Sequence, residues 1–245
     1  MILETQKLCK SFGALMATDD VEFGVKEGEI RALIGPNGAG KTTFFNLITG
    51  NLTPSSGRIL WKDKDITSLR MHQVSQMGIA RSYQITNIFP NLTTFENIRL
   101  SAQSRKKYQN FFIAATRLRD VARRTEEVMN MMGLQGKETV IAANLSHGDH
   151  RRLEIGISLA TSPELLLLDE PTAGMSPAET EEMIDLIHKI AKDLTIIIVE
   201  HDMKVVMELA ETISVLHYGK IIAEGTPEEI RRNKQVLAVY LGGEL

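Results

Sequence analysis

The octapeptide Gly35-Pro36-Asn37-Gly38-Ala39-Gly40-Lys41-Thr42 constrains this chain more than any other feature. It matches Gly-x4-Gly-Lys-Ser/Thr, follows the apolar run 30–34 and opens a helical run, 41–48, that Gly50 stops. The glycines let the backbone curl so that several N–H groups converge on phosphate oxygens at the positive end of a helix. Lys41 supplies a point charge for the β- and γ-phosphates, and the Thr42 hydroxyl suits Mg²⁺. Strand, loop and helix in this order demand an α/β fold that binds a nucleoside triphosphate.

Length and composition allow such a fold. The chain has 245 residues, 43% of them hydrophobic and 24% charged, enough to bury a core and far from a disordered composition. Apolar runs stop at four or five residues, against the roughly 20 that a membrane-spanning helix needs. No basic segment followed by an apolar one opens the chain, so no signal peptide is read. Cys9 is the only cysteine, which excludes a disulfide framework and a cysteine-based zinc site and fits a reducing cytoplasm. A net charge of -3 gives no global reason to expect nucleic acid.

Turn signals divide the chain into three zones. Residues 2–8, 21–25, 30–34 and 58–62 read as short strands separated by Gly13, Gly28, Gly35 and the Pro54-Ser55-Ser56-Gly57 turn. Residues 85–144 read as helix, apart from Asn91-Leu92-Thr93 and the Gly133/Gly136 break, with near-helical apolar spacing over 116–132. From Ser146 onward, helices alternate with the fully apolar runs 165–168, 196–199 and 213–216, the pattern of a parallel sheet covered on both faces. Tyr218-Gly219 then marks a final hairpin.

The run Leu165-Leu166-Leu167-Leu168 ends in Asp169-Glu170. Ligands of such sheets sit at the carboxyl ends of the strands, which puts Asp169 beside the phosphate loop. Asp169 suits the Mg²⁺ shell through water. Glu170 alternates to another direction, where a carboxylate can polarise a water for attack on a γ-phosphate.

Three further features narrow the class. Leu145-Ser146-His147-Gly148-Asp149 precedes a helical run over 150–159, a second anion-binding helix start in one chain. Two such ends serve one γ-phosphate only if a second subunit closes head to tail over the first. Gln84 closes the run Ala80-Arg81-Ser82-Tyr83, and His201 follows the apolar run 196–199. Alone, Gln84 reads as a surface amide and His201 as a capped strand-end histidine.

Together these residues resemble the ATP-binding subunit of ABC transporters over essentially the whole chain. Gly35–Thr42 resembles Walker A, Gln84 the Q-loop, Leu145–Asp149 the signature, Leu165–Asp169 Walker B and Glu170 the catalytic glutamate. Ala173-Gly174-Met175-Ser176 resembles the D-loop, His201 the switch histidine, and Phe12 the aromatic that stacks on adenine, the other reading of Phe12 being a core residue of the first hairpin. The resemblance implies a P-loop NTPase core with an N-terminal antiparallel β subdomain and an inserted helical subdomain, with 1–84 and 155–245 as core and 85–154 as insertion. It implies ATP on Phe12, Gly35, Pro36, Asn37, Gly38, Ala39, Gly40, Lys41, Thr42 and Thr43, with Ser146 and Gly148 reaching it in trans. It also implies Mg²⁺ on Thr42, Gln84 and Asp169, and catalysis by Glu170, His201 and Gln84.

A narrower resemblance, to the branched-chain amino acid uptake family, rests on four segments. They are residues 81–93, Arg151-Arg152-Leu153-Glu154-Ile155, Val199-Glu200-His201-Asp202-Met203 and Val239-Tyr240-Leu241-Gly242-Gly243. It implies a second ATPase subunit, transmembrane permease subunits and, indirectly, a periplasmic or extracellular substrate-binding protein, with this chain peripheral on the cytoplasmic face of the membrane. A soluble ABC ATPase of an assembly complex and a lipopolysaccharide-export ATPase are the alternatives.

Two features depart from the pattern or lie outside it. In the signature, His147 stands where glycine is usual and Asp149 where glutamine is usual. Asp149 brings a negative charge to a helix end that should face a phosphate, and His147 is the neighbour able to offset it when protonated. Residues 99–124 carry eight basic side chains against Asp120 alone, either a solvated helical face or a surface for anionic lipid.

Overall fold

Two sheets divide the strands of this computed structural model, which describes residues 1–82, 88–104 and 114–241. The first third of the chain forms β1 (Leu3–Phe12), β2 (Leu15–Val25), β3 (Ile30–Ile34), α1 (Lys41–Ile48), β4 (Ser56–Trp61), β5 (Lys64–Asp65), α2 (Met71–Gln76) and β6 (Ile79–Arg81). Next come the helices α3 (Thr94–Ser104), α4 (Ala114–Met131) and α5 (His147–Ala160). The last third alternates: β7 (Leu165–Asp169), α6 (Pro177–Ala191), β8 (Thr195–Val199), α7 (Met203–Leu209), β9 (Thr212–His217), β10 (Lys220–Gly225), α8 (Pro227–Arg232) and α9 (Lys234–Leu241).

One sheet is antiparallel, in the order β2-β1-β4-β5; the other runs β10-β9-β3-β8-β7-β6, parallel except for the edge strand β10. The apolar strands of the second sheet supply two cores by alternation. Leu33, Leu165, Leu167, Ile197 and Val199 face the core shared with the antiparallel sheet and α1. Ala32, Ile34, Leu166, Leu168, Ile196 and Ile198 face the core shared with the later helices. This alternation explains why the sequence shows solid apolar runs: both faces are covered.

Local signals place the helices. Ser176 with Glu179, and Thr226 with Glu229, form capping boxes, each followed by proline at the first helical position. In the helical block, Gly156 of α5 packs on Met132, Val128 and Ile98, where a Cβ would stand 3.1 Å from Met132 Cγ. Gly133 and Gly136, at φ 67° and 79°, end α4 and turn the chain back. Residues 133–141 are therefore not helical: Thr94 N donates to Val140 O, and Thr93 bridges Ile141. The first hairpin also extends past the expected strands, because its outer half exposes apolar and polar side chains alike, among them Phe12, Leu15 and Met16, and its pairing is irregular near Lys7 and Asp20, both with positive φ.

Candidate nucleotide site

The phosphate loop is held from outside by two strands. A Cβ on Gly35 would lie 2.1 Å from Leu216 O of β9, and one on Gly40, at φ 110°, would lie 2.3 Å from Ala17 O of β2. Only glycine fits either position. The β9–β10 turn buttresses the same loop, with Gly219 N donating to Ala39 O at 2.9 Å and Gly219 O accepting from Asp19 N at 2.8 Å. No side chain caps the first turn of α1 and no acidic residue sits in it, so the helix end keeps its positive character. Asn37, Gly38 and Thr42 are exposed there, and Pro36 and Thr43 are partly so. Lys41 Nζ bends back to donate to Gly35 O at 2.6 Å and Pro36 O at 3.0 Å. Burial pushes the Lys41 ammonium below its ordinary value, and the charges of Glu170 and Asp169 oppose that shift.

Those carboxylates come from the end of β7, between β6 and β8. Asp169 is nearly buried, and its Oδ2 accepts from Arg81 at 2.7 Å. Arg81 also donates to Asn46 Oδ1 of α1 at 2.6 Å and stacks 5.3 Å from the Phe45 ring centre. Glu170 leaves the strand with φ 50°, which turns it from the sheet plane, and its Oε1 lies 2.7 Å from His201 Nε2. Next to His201, the buried Glu200 accepts from Thr172 N at 2.9 Å, Thr172 Oγ1 at 2.6 Å and His201 N at 3.1 Å. Asp202 caps α7 by accepting from Lys204 N at 2.8 Å. Lys41, Asp169, Glu170 and His201 thus meet at the carboxyl ends of β3, β7 and β8.

The second helix start stands apart from the first. Ser146 caps α5, and Asp149 N donates to its Oγ at 3.2 Å. With Gly148, Lys137, Asp149, Arg152 and Glu179 it lines a cleft of about 330 Å³ that contains no residue of the phosphate loop. The two helix starts of one chain therefore open on different surroundings. His147 Nε2 lies 3.0 Å from Ala173 O, so the imidazole ties the signature to the D-loop segment. The cation that meets Asp149 is Lys137, 2.5 Å away, rather than His147.

Several expected residues find their surroundings here. Phe12 is 47% exposed, which removes the reading of it as a core residue. Gln84 lies outside the described residues, as do Arg105, Lys106 and Lys107 of the basic stretch. In the described part of α4, Arg123 and Arg124 approach Glu127 at 4.0 and 3.6 Å, so the local charge is mixed. Sequence reasoning missed Arg81, Glu200 and Lys137, whose partners lie 88, 28 and 12 positions away. It also missed Tyr240: burial pushes its phenol up to about 12, opposed by a hydrogen bond with the Gly35 backbone.

A glycine-rich loop between β3 and α1, with acidic residues closing β7 on the far side of β8, defines a P-loop nucleoside triphosphatase. Residues 18–173 match the ABC transporter family, and residues 220–245 match the family described as branched-chain amino acid ATP-binding cassette transporter. The chain is 39% identical over 250 residues to the high-affinity branched-chain amino acid transport ATP-binding protein LivG of Escherichia coli, covering 98% of both chains. It is 34% identical over 242 residues to the lipopolysaccharide export system ATP-binding protein LptB of Haemophilus influenzae, covering 98% of this chain and 97% of that one. Among solved structures, a nucleotide-free ATP-binding cassette from an ABC transporter superposes with a TM-score of 0.88 at 29% identity, covering 99% of each. The chain belongs to the ABC transporter family, as an ATP-binding ATPase subunit. Among its described residues no helix is long and apolar enough to cross a membrane.

Proposed function

We propose that this chain hydrolyses ATP to drive an importer for branched-chain or related amino acids. The carrying observation is the convergence of Lys41, Asp169, Glu170 and His201 at the carboxyl ends of the parallel strands, with Glu170 Oε1 and His201 Nε2 2.7 Å apart. The export reading has less behind it, since the lipopolysaccharide relative is the less similar of the two and the C-terminal match is to the branched-chain family.

The phosphate loop amides and Lys41 bind the β- and γ-phosphates of ATP, Lys41 exchanging its two carbonyl partners for phosphate oxygens. Phe12, exposed at the hairpin end, offers a ring face for adenine. The hard oxygens of Thr42 and Asp169 fit Mg²⁺, with Gln84 as a third donor. Arg81 holds Asp169 Oδ2, and the carboxylate would offer its remaining lone pairs to the metal. Mg²⁺, when bound, neutralises charge on the phosphate oxygens. Glu170 takes the attacking water as hydrogen-bond acceptor, and His201 fixes the orientation of that carboxylate.

Ser146 and Gly148 close over ATP held by a second subunit, because they do not share a cleft with their own phosphate loop. The permease subunits dock in a groove of about 300 Å³ lined by Met71, His72, Ile88, Glu154 and Ile157, which borders Arg81. That position makes the chain peripheral to the membrane's cytoplasmic face.

The test is uptake of radiolabelled leucine in cells carrying the cognate permease genes. Uptake should require this chain and stop with Glu170→Gln. Leucine uptake unchanged without the chain would discard the substrate class, and full ATP turnover in Glu170→Gln would discard the catalytic assignment.

A further inference from the structure

The signature serine has a second claimant. Ser146 Oγ accepts from Asp149 N at 3.2 Å and donates its proton to Asp149 Oδ2 at 2.7 Å. A hydroxyl has one proton, so while Asp149 holds it no other acceptor can. The same Oδ2 takes Lys137 Nζ at 2.5 Å, from the turn that follows α4. Burial pushes the Asp149 carboxyl up, but hydrogen bonds from Lys137 and Ser146, with the charges of Lys137 and Arg152, hold it below the usual carboxylate range. Arg152 itself is committed to Glu182, 2.5 Å away, and to Met132 O. Lys137 is therefore the cation that meets Asp149 directly.

We propose that Asp149 and the γ-phosphate of ATP on the partner subunit compete for the proton of Ser146, and that Lys137 is the positioning residue that lets Asp149 release it. This deepens, and rests on, the head-to-tail reading of the signature. As the subunits close, the Ser146 O–H turns from Asp149 to the phosphate. Asp149 keeps Lys137, and its charge stays compensated where the triphosphate arrives. Without Lys137, an uncompensated carboxylate both retains the serine proton more strongly and repels the phosphate. Without Asp149, the serine is available at once, and Lys137 has nothing left to position. The unusual residue at this signature position thus sets how much ATP is needed for closure.

The experiment measures dimer fraction against ATP concentration by analytical ultracentrifugation of the full chain in a Glu170→Gln background. Asp149→Gln should shift the midpoint to about tenfold lower ATP, the scale of one hydrogen bond to a charged group. Lys137→Met should shift it about tenfold higher. The combined variant should behave as Asp149→Gln alone, because Lys137 acts through Asp149. ATP affinity of the dilute single subunit, read with a fluorescent analogue, should be equal in all four proteins. Asp149→Asn, which keeps the side-chain length, repeats the Asp149→Gln test should that variant melt early. A Lys137→Met effect of equal size with and without Asp149 would overturn the proposal, and so would a higher midpoint in Asp149→Gln. In both cases the background protein still dimerises, so the head-to-tail reading stands. A background protein that stays monomeric at saturating ATP removes that reading and this proposal together.

Discussion

His201 Nε2 and Glu170 Oε1 lie 2.7 Å apart although 31 positions separate them, because β7 and β8 are adjacent and end level, with Asp169 paired to Val199. One strand leads directly into the carboxylate, and the other leads, through Glu200, into the imidazole that meets it. Removing either partner should have a distinct signature. Glu170→Gln should bind ATP normally and lose on the order of 10²–10⁴-fold in turnover, the range of a general base. His201→Ala should lose less, since the carboxylate remains and only its orientation relaxes. Single-turnover hydrolysis measures both, and equal losses would place the proton-accepting role on both groups together.

Lys41 gives a pH dependence. Burial lowers its pKa from the ordinary 10.5, and phosphate oxygens brought within contact should raise it again. A base whose pKa rises on binding takes up protons where the free site is partly neutral. Just below that ordinary value, ATP binding should therefore consume protons, and affinity should fall as pH rises further. Calorimetry in buffers of different ionisation enthalpy reads the uptake. Lys41→Met should abolish both the uptake and tight binding.

Arg81 and Asp169 form a pair with side chains only 5% and 9% exposed. Arg81→Met leaves the Asp169 carboxylate without its guanidinium and should cost about 3–5 kcal/mol, the range for breaking a buried pair from one side. The double variant Arg81→Met with Asp169→Asn should recover much of that loss, since neither half of the pair is left charged without its partner. Thermal melts of the two proteins decide it.

Gly40→Ala tests the packing argument for the loop. At φ 110°, with Ala17 O 2.3 Å from the new Cβ, the backbone of β2 or of the loop must move. A loss of about 3 kcal/mol, or on the order of 10 °C in Tm, is expected. Gly38→Ala, where nothing lies within 4 Å, keeps only the strain of its positive φ and should lose less.

What the chain disclosed in advance follows from the range over which each signal acts. The phosphate loop, the apolar strands and the residues Asp169-Glu170 are local patterns, and each stood in the structure where it was expected. The parallel sheet followed from runs such as Thr195–Val199, whose apolar residues on both faces have no other use. Arg81, Lys137 and Glu200 carry no local pattern. Their roles come from pairs across strands and loops, and a charged residue alone does not announce whether it is solvated or buried in such a pair. The long first hairpin was hidden for a different reason: its outer half leaves polar and apolar side chains alike exposed and meets the phosphate loop and the β9–β10 turn through its backbone, so its sequence has no apolar alternation to read.

Glu200 has one more consequence. A single carboxylate receives the Thr172 amide and hydroxyl and the His201 amide, all at 2.6–3.1 Å. It works as a yoke between two loops. A shift of His201 that keeps those bonds carries Thr172 with it, and Thr172 leads directly into Ala173, whose carbonyl holds His147. A displacement at the end of β8 would thereby reach the start of α5 through one buried side chain and one imidazole.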